Sequence, residues 1–397
     1  NGSSDTNSKE VYKGNDVTFT ITPNESYTLE DANISCSNGT LSNNLLTISN
    51  VQSDVTCTIT LDEDGITLAQ AMLRDNTTIK ERTDFSVTNT ETTTGTIYKT
   101  NKTEDGSEVY YYSGNTTNNW VLFGGFYWRI IRTNEDGSVR ILYSGTNHNT
   151  TSGYIGTSAY NSSSNNPMYV GYMYGTSGSL ANNRTNTNDS TIKTTIDTWY
   201  QNNLLTNYDK YISKTAIYCN DRSVGSGTYS TSSVIHYGEY TRLITNKTPS
   251  YKCGANASDG LFESTQAIED KFSASTEKGG NGQLKYPIAL MTADEISFAG
   301  GVYDTNLSSP YTWYYTNSAS GSIIGSNCWW LLSSSCWDSS NSFVFHVVGS
   351  RNLGYFFNYY VSYSFAVRPV ISLSSCAKVN GTGTSTDPYV VNENSCS

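Results

Sequence analysis

The side chains that most often perform catalysis are sparse and scattered along this 397-residue chain. The three histidines, His148, His236 and His346, lie far apart and show no metal-ligand spacing, and no HExxH or CxxC occurs. Serine-type catalysis needs a histidine oriented by a carboxylate beside an activated hydroxyl. His236 has Glu239 three residues on, but no nucleophile elbow accompanies them. Asp294 and Glu295 are adjacent carboxylates, yet they fall inside Thr292–Glu295, which reads as a helix capping box. The eight cysteines are even in number, which favours disulfides over metal sites in a secreted-type chain. Cys36 and Cys57 would staple neighbouring strands, Cys219 and Cys253 bracket a long Ser/Gly/Tyr loop, and Cys376 and Cys396 flank a final turn. Cys328 and Cys336 either pair across a short loop or leave Cys336 as a free thiol. The abundant Asn-x-Ser/Thr sequons are what an Asn/Ser/Thr-rich composition yields by chance.

Composition narrows the classes further. A net charge of −11 argues against nucleic-acid binding, which needs a basic footprint. Charged residues are only 15% of the chain, while aromatics reach 13% and supply core-forming bulk, so this is a β-rich, uncharged exterior and not a disordered chain. No apolar run of about 18 residues is present, so no membrane span is expected. No signal peptide opens the sequence, which reads as a mature or truncated product. No cofactor is expected; calcium is compatible with the chain but no carboxylate cluster demands it.

The elements expected to position a site divide the fold class into α+β parts. Residues 1–62 form a small β module: Val17–Thr22 alternates apolar and polar, and Leu45–Val51 and Val55–Leu61 follow between polar turns. The module resembles bacterial Ig-like spacers. Residues 63–107 carry a short helix capped by Thr67, with Leu68, Ala71 and Met72 on one face, and then an extended linker. The main domain spans 108–397. Phe126–Thr133, the Asn134–Gly137 turn and Val139–Tyr143 give the clearest hairpin. A helix starts at Asp189 or Ser190 with Ile192, Ile196 and Trp199 in one stripe. Another starts at Thr292, with Met291 and Ile296 as a hydrophobic staple, and ends at Gly300–Gly301. Strands are expected at Tyr311–Tyr315, Cys328–Leu332, Phe343–Val348, Tyr355–Tyr363 and Phe365–Leu373.

At Phe126–Arg132, Trp329–Trp330 and Val367–Leu373 the chain resembles the C-type-lectin-like domains related to formylglycine-generating enzymes. Within that group it is similar to the variable proteins diversified by retroelements in bacteria and phages. The similarity covers residues 108–392. It implies a mixed sheet core with two helices and long insert loops, and a ligand surface on the C-terminal strands. It also implies that adenines in Asn-type codons are mutated, giving codons that end in a pyrimidine and cannot encode Lys, Glu, Gln, Met or Trp; residues 338–365 contain none of these. Two positions depart from the pattern: Cys328 precedes the Trp pair, and Ser334 stands where proline is common. The related oxidases use a reactive cysteine pair, but Cys328 and Cys336 sit at or inside the expected variable segment, a poor place for invariant chemistry.

The expected recognition surface, about residues 335–365, therefore comprises Ser335, Cys336, Trp337, Ser339, Asn341, Phe343, Phe345, His346, Ser350, Arg351, Leu353, Tyr355, Phe357, Asn358, Tyr359, Val361 and Tyr363. Strand alternation puts Tyr355, Phe357, Tyr359, Val361 and Tyr363 on one face and Phe356, Asn358, Tyr360 and Ser362 on the other, without marking which is outward. Val344 and Val347 are assigned to the core, and Phe343, Phe345 and His346 to the exterior. Tyr with Asn, Ser and Gly is the mixture that antibody paratopes favour, giving rigid contact area beside adaptable hydrogen bonds. The chain reads as an extracellular, bacterial or phage-encoded binding protein and not an enzyme, its partner a protein or glycan on another cell or a phage host. The alternative reading is a non-diversified adhesin or pilus-associated structural subunit of the same fold.

Overall fold

The structure is a computed structural model describing residues 2–24, 27–63, 65–254, 270–349 and 354–396. It is a mixed α+β fold, mostly sheet with few helices. In the N-terminal module, Gly2–Ser4, Val17–Pro23, Leu45–Ile48 and Gly39–Ser42 form a four-stranded sheet in that order, and Tyr27–Ser35 pairs with Thr58–Glu63. Alternation along these strands turns Ile21, Leu46 and Ile48 into a small core. The Cys36–Cys57 disulfide ties the end of one strand of the pair to the start of the other.

The expected linker of residues 63–107 is built into the main body. Ile66–Thr67 pairs with Lys378–Asn380, and Thr96–Thr100 pairs with Val109–Tyr111. Helix α1 (Leu68–Asp75) begins at a Thr67–Gln70 capping box and buries Leu68, Ala71 and Met72. Helix α2 (Thr191–Asn203) is capped by Ser190 and buries Ile192, Ile196 and Tyr200, with Trp199 only half buried. Helix α3 (Ala293–Ala299) carries the expected box between Thr292 and Glu295 and stops at Gly300, whose φ of 120° suits glycine.

Two large sheets share one core. The first runs Ala289–Leu290, Pro369–Leu373, Val139–Tyr143, Phe126–Thr133, Trp120–Phe123, Tyr389–Val391, Lys378–Asn380 and Ile66–Thr67. A register shift between Ile130 and Arg132 accompanies the turning of Arg132 toward α3, where it and Arg140 both donate to Glu295, at 3.1 and 2.6 Å. The second sheet is built on strands β1 (Ile235–Tyr237), β2 (Trp329–Trp337), β3 (Ser342–Val347), β4 (Phe356–Tyr360) and β5 (Ser364–Ala366). β2 is its spine: β5 and β1 pair with opposite ends of one edge, and β3 followed by β4 extends the other.

Two sequence expectations change here. Phe365–Leu373 is not one strand, because the chain leaves the second sheet after Ala366 and enters the first at Pro369. Tyr311–Tyr315 is a turn in which Tyr315 N–H donates to the Thr312 carbonyl; consecutive Trp313 and Tyr314 are both fully buried, which strand alternation would not allow against a single core face.

Candidate ligand-binding surface

The frame of the site is β2. Trp329, Trp330, Leu331 and Leu332 are buried on both faces, as a central strand requires. The three serines that follow fasten the strand by hydrogen bonds. Ser333 Oγ accepts from Ala293 N–H at 2.7 Å and donates to Glu239 at 2.5 Å. Asn220 donates to Ser334 Oγ, and Asn358 donates to Ser335 Oγ at 2.8 Å. Beneath them Arg242 bridges Asp221 and Asp294, at 2.5 and 2.9 Å. Burial, with Asp294 close by, holds Glu239 well above the ordinary carboxylate range. Glu239 thus belongs to the support of β2, its carboxyl turned toward Ser333.

β3 and β4 project from this frame as an antiparallel hairpin. Register places Phe343 opposite Tyr360, Phe345 opposite Asn358 and Val347 opposite Phe356 on one face, with Val344 opposite Tyr359 and His346 opposite Phe357 on the other. Of the expected surface, Cys336, Asn341, Phe343, Tyr355, Phe357, Asn358 and Tyr359 are half exposed, and Ser339 and Tyr363 are exposed. Ser335, Trp337, Phe345, His346 and Val361 are buried and do not belong to it. Phe345 lies against Phe356 and Tyr303, with ring centroids 5.8 and 6.2 Å away. His346 is enclosed by Trp330 and Phe365, at 6.1 and 4.9 Å, and burial lowers its imidazole to about 3. Trp337 is covered where β2 meets Ile235 of β1. Val361 closes the hairpin, its carbonyl accepting from Tyr160 and Asn161 N–H. Val344 and Val347 are in the core, as expected. Ser350, Arg351 and Leu353 lie outside the described residues.

The accessible rings form two connected groups. Tyr303 stacks on Phe357 at 5.0 Å, and Tyr355 lies 6.2 Å from Phe357. Across the hairpin Tyr359 meets Tyr363 at 4.8 Å and Phe365 at 5.5 Å. Tyr360 touches Phe343 at 4.7 Å and Tyr359 at 5.4 Å. Tyr303, Tyr360 and Phe365 were not among the expected residues. Alternation marked Tyr360; Tyr303 had no signal in sequence, because it reaches the site through a bridge to Phe356. None of these residues is Lys or Arg, so among the described residues ring faces, hydroxyls and the Asn358 amide are what the surface offers.

Cys328 and Cys336 do not pair. Both lie along one extended run, and eight residues at strand rise separate them by roughly 26 Å, far beyond disulfide reach. The other pairings, Cys219–Cys253 and Cys376–Cys396, form as expected. Cys336 faces His236 in register, and Asn358 Nδ2 lies 3.8 Å from its sulfur. Burial pushes this thiol up to about 12, the wrong direction for a nucleophile at neutral pH. Burial also lowers His236, whose ring stacks on Tyr240 at 4.0 Å. Among the described residues no group of three or more His, Cys, Asp or Glu side chains is arranged to hold a metal ion. Comparison with family models, curated proteins and solved structures finds no match to this chain.

Proposed function

We propose that this chain is an extracellular ligand-binding protein in which a C-type-lectin-like body presents a diversified C-terminal surface on an Ig-like spacer, to a protein or glycan on another cell or a phage host. One observation carries the reading. The β3–β4 hairpin hangs from a strand buried at every position but Cys336, yet leaves Phe343, Tyr355, Phe357, Tyr359, Tyr360 and Tyr363 at least partly open to solvent. Core packing alone does not use side chains this way, whereas recognition surfaces concentrate binding energy in such aromatic residues. Three disulfides support a location outside the reducing cytosol, and among the described residues no helix is long and apolar enough to cross a membrane.

The test screens the purified chain against glycan arrays and panels of bacterial cells, then compares Phe343→Ala and Tyr360→Ala with the parent. Each substitution is expected to weaken binding about tenfold or more while leaving the folded body intact. Unchanged binding in both variants would overturn the placement of the site. Diversification is tested at the gene: differences among related loci should concentrate in codons 335–365, and an even spread along the domain would remove that part of the reading.

A further inference from the structure

The outer edge of β4 is only partly paired. Hydrogen-bonded pairing with β3 is fixed at both ends: Val348 N–H donates to the Tyr355 carbonyl, and Val361 N–H to the Ser342 carbonyl, each at 2.9–3.1 Å. Antiparallel pairing alternates, so Phe357 and Tyr359 direct their main-chain groups inward to β3. Phe356, Asn358 and Tyr360 direct theirs to the opposite side. On that side Phe356 is taken by the Tyr303–Asp304 segment, with Asp304 N–H donating to its carbonyl at 3.1 Å. The Tyr360 carbonyl is taken by Tyr363 N–H at 3.0 Å. Among the described residues nothing pairs with the Asn358 N–H, the Asn358 carbonyl or the Tyr360 N–H, and no further strand lies beyond β4.

Unpaired strand edges are usually protected by a charge, a proline, a bulge or a covering loop. β4 reads Phe-Phe-Asn-Tyr-Tyr, has a regular register, and leaves Tyr360 38% exposed. We infer that β4 binds an extended segment of a protein ligand by strand addition, the ligand pairing with Asn358 and Tyr360 while Tyr303, Phe343 and Tyr360 receive its side chains. This rests on the recognition reading above and chooses protein over glycan within it. An extended peptide supplies the alternating donors and acceptors that complete this ladder, which a sugar ring does not. The bonds come from the main chain, so they persist whatever side chains diversification places along the hairpin.

The test selects ligands from a displayed library of random uncharged hexapeptides, using the whole chain as bait. Selected peptides are resynthesised with alternate main-chain nitrogens methylated, and Asn358→Pro is compared with Asn358→Ala. Proline is tolerated where the lost N–H points away from the ladder, so Asn358→Pro should fold. The expected result is a loss of about tenfold or more for the methylated peptides, and for Asn358→Pro relative to Asn358→Ala, which removes the same side chain but keeps the main-chain N–H. As a readout independent of that variant, the Asn358 and Tyr360 amides should exchange quickly in the free chain, unlike Phe357 and Tyr359, and slow when a selected peptide binds. Peptides that bind and lose affinity with Phe343→Ala, yet ignore methylation and leave Asn358 and Tyr360 exchange unchanged, overturn strand addition and keep the recognition surface. Binding on a glycan array with no selected peptide does the same. A concentration-dependent dimer abolished by Asn358→Pro assigns this edge to a second copy of the chain and overturns the peptide assignment.

Discussion

Acidification should loosen the recognition hairpin through His346. Its imidazole is 4% exposed, enclosed by Trp330, Tyr359 and Phe365, and burial lowers it from 6.5 to about 3. Above pH 6.5 the ring is neutral in both folded and unfolded chains and exerts no pH effect. Below 6.5 the unfolded chain takes up the proton and the folded chain does not, so stability falls as pH falls, until the folded ring protonates near 3. The slope is about 1.4 kcal/mol per pH unit, hence about 2 kcal/mol lost at pH 5 relative to pH 7. Glu239 pulls the other way, since a carboxyl held neutral in the fold favours folding more as pH falls toward its unfolded value. The comparison is therefore between the parent and His346→Phe, in which every other titration cancels. Tryptophan emission during urea unfolding reports this body selectively, because all seven tryptophans lie between Trp120 and Trp337. The parent should lose about 2 kcal/mol more than His346→Phe between pH 7 and pH 5. Parallel pH profiles for the two would refute the claim that the ring is buried uncharged beneath the surface.

Two further outcomes test the supports of the site. Glu295→Gln leaves Arg132 and Arg140 buried without their shared carboxylate, and should cost about 3–5 kcal/mol of unfolding free energy, measured by the same urea titration; a near-neutral substitution would show that the arginines find other partners. Cys328 and Cys336 should resist iodoacetamide in the native chain at neutral pH, because burial raises both thiols, and should yield two alkylated sites after unfolding without reductant. Fast labelling of Cys336 in the folded protein would contradict the upward shift of its thiol, and no labelling after unfolding would show that the two thiols are bonded.

Features written locally in the chain were legible. Ser190 and Thr292 fixed two helix starts through their own hydroxyls, Gly300 fixed a stop, and the Phe126–Tyr143 hairpin followed from alternation around its turn. Features that depend on distant partners were not. Nothing near Val367–Arg368 announces that the chain changes sheets there, since both sheets are assembled from segments far away in sequence. The hairpin faces could not be ranked because each carries aromatics. What buries Phe345 and His346 is Tyr303 and Phe356 on one side and Trp330 and Phe365 on the other. Residues 63–107 looked like a linker because their pairing partners, Lys378–Asn380 and Val109–Tyr111, are provided by the folded body.

Arg129 and Arg368 are buried with no carboxylate partner among the described residues. Arg129 donates to the Thr116 and Thr316 carbonyls beside Trp120, and Arg368 to the Tyr143 and Tyr314 carbonyls beside Trp329. Both guanidiniums therefore hold the irregular stretch around Thr312–Thr316 to the sheets, and peeling that stretch away would strand two cations in an apolar interior. The stretch has no regular structure to stabilise it, yet it must open together with the body that carries it, so slow amide exchange should extend well into a region that looks like loop.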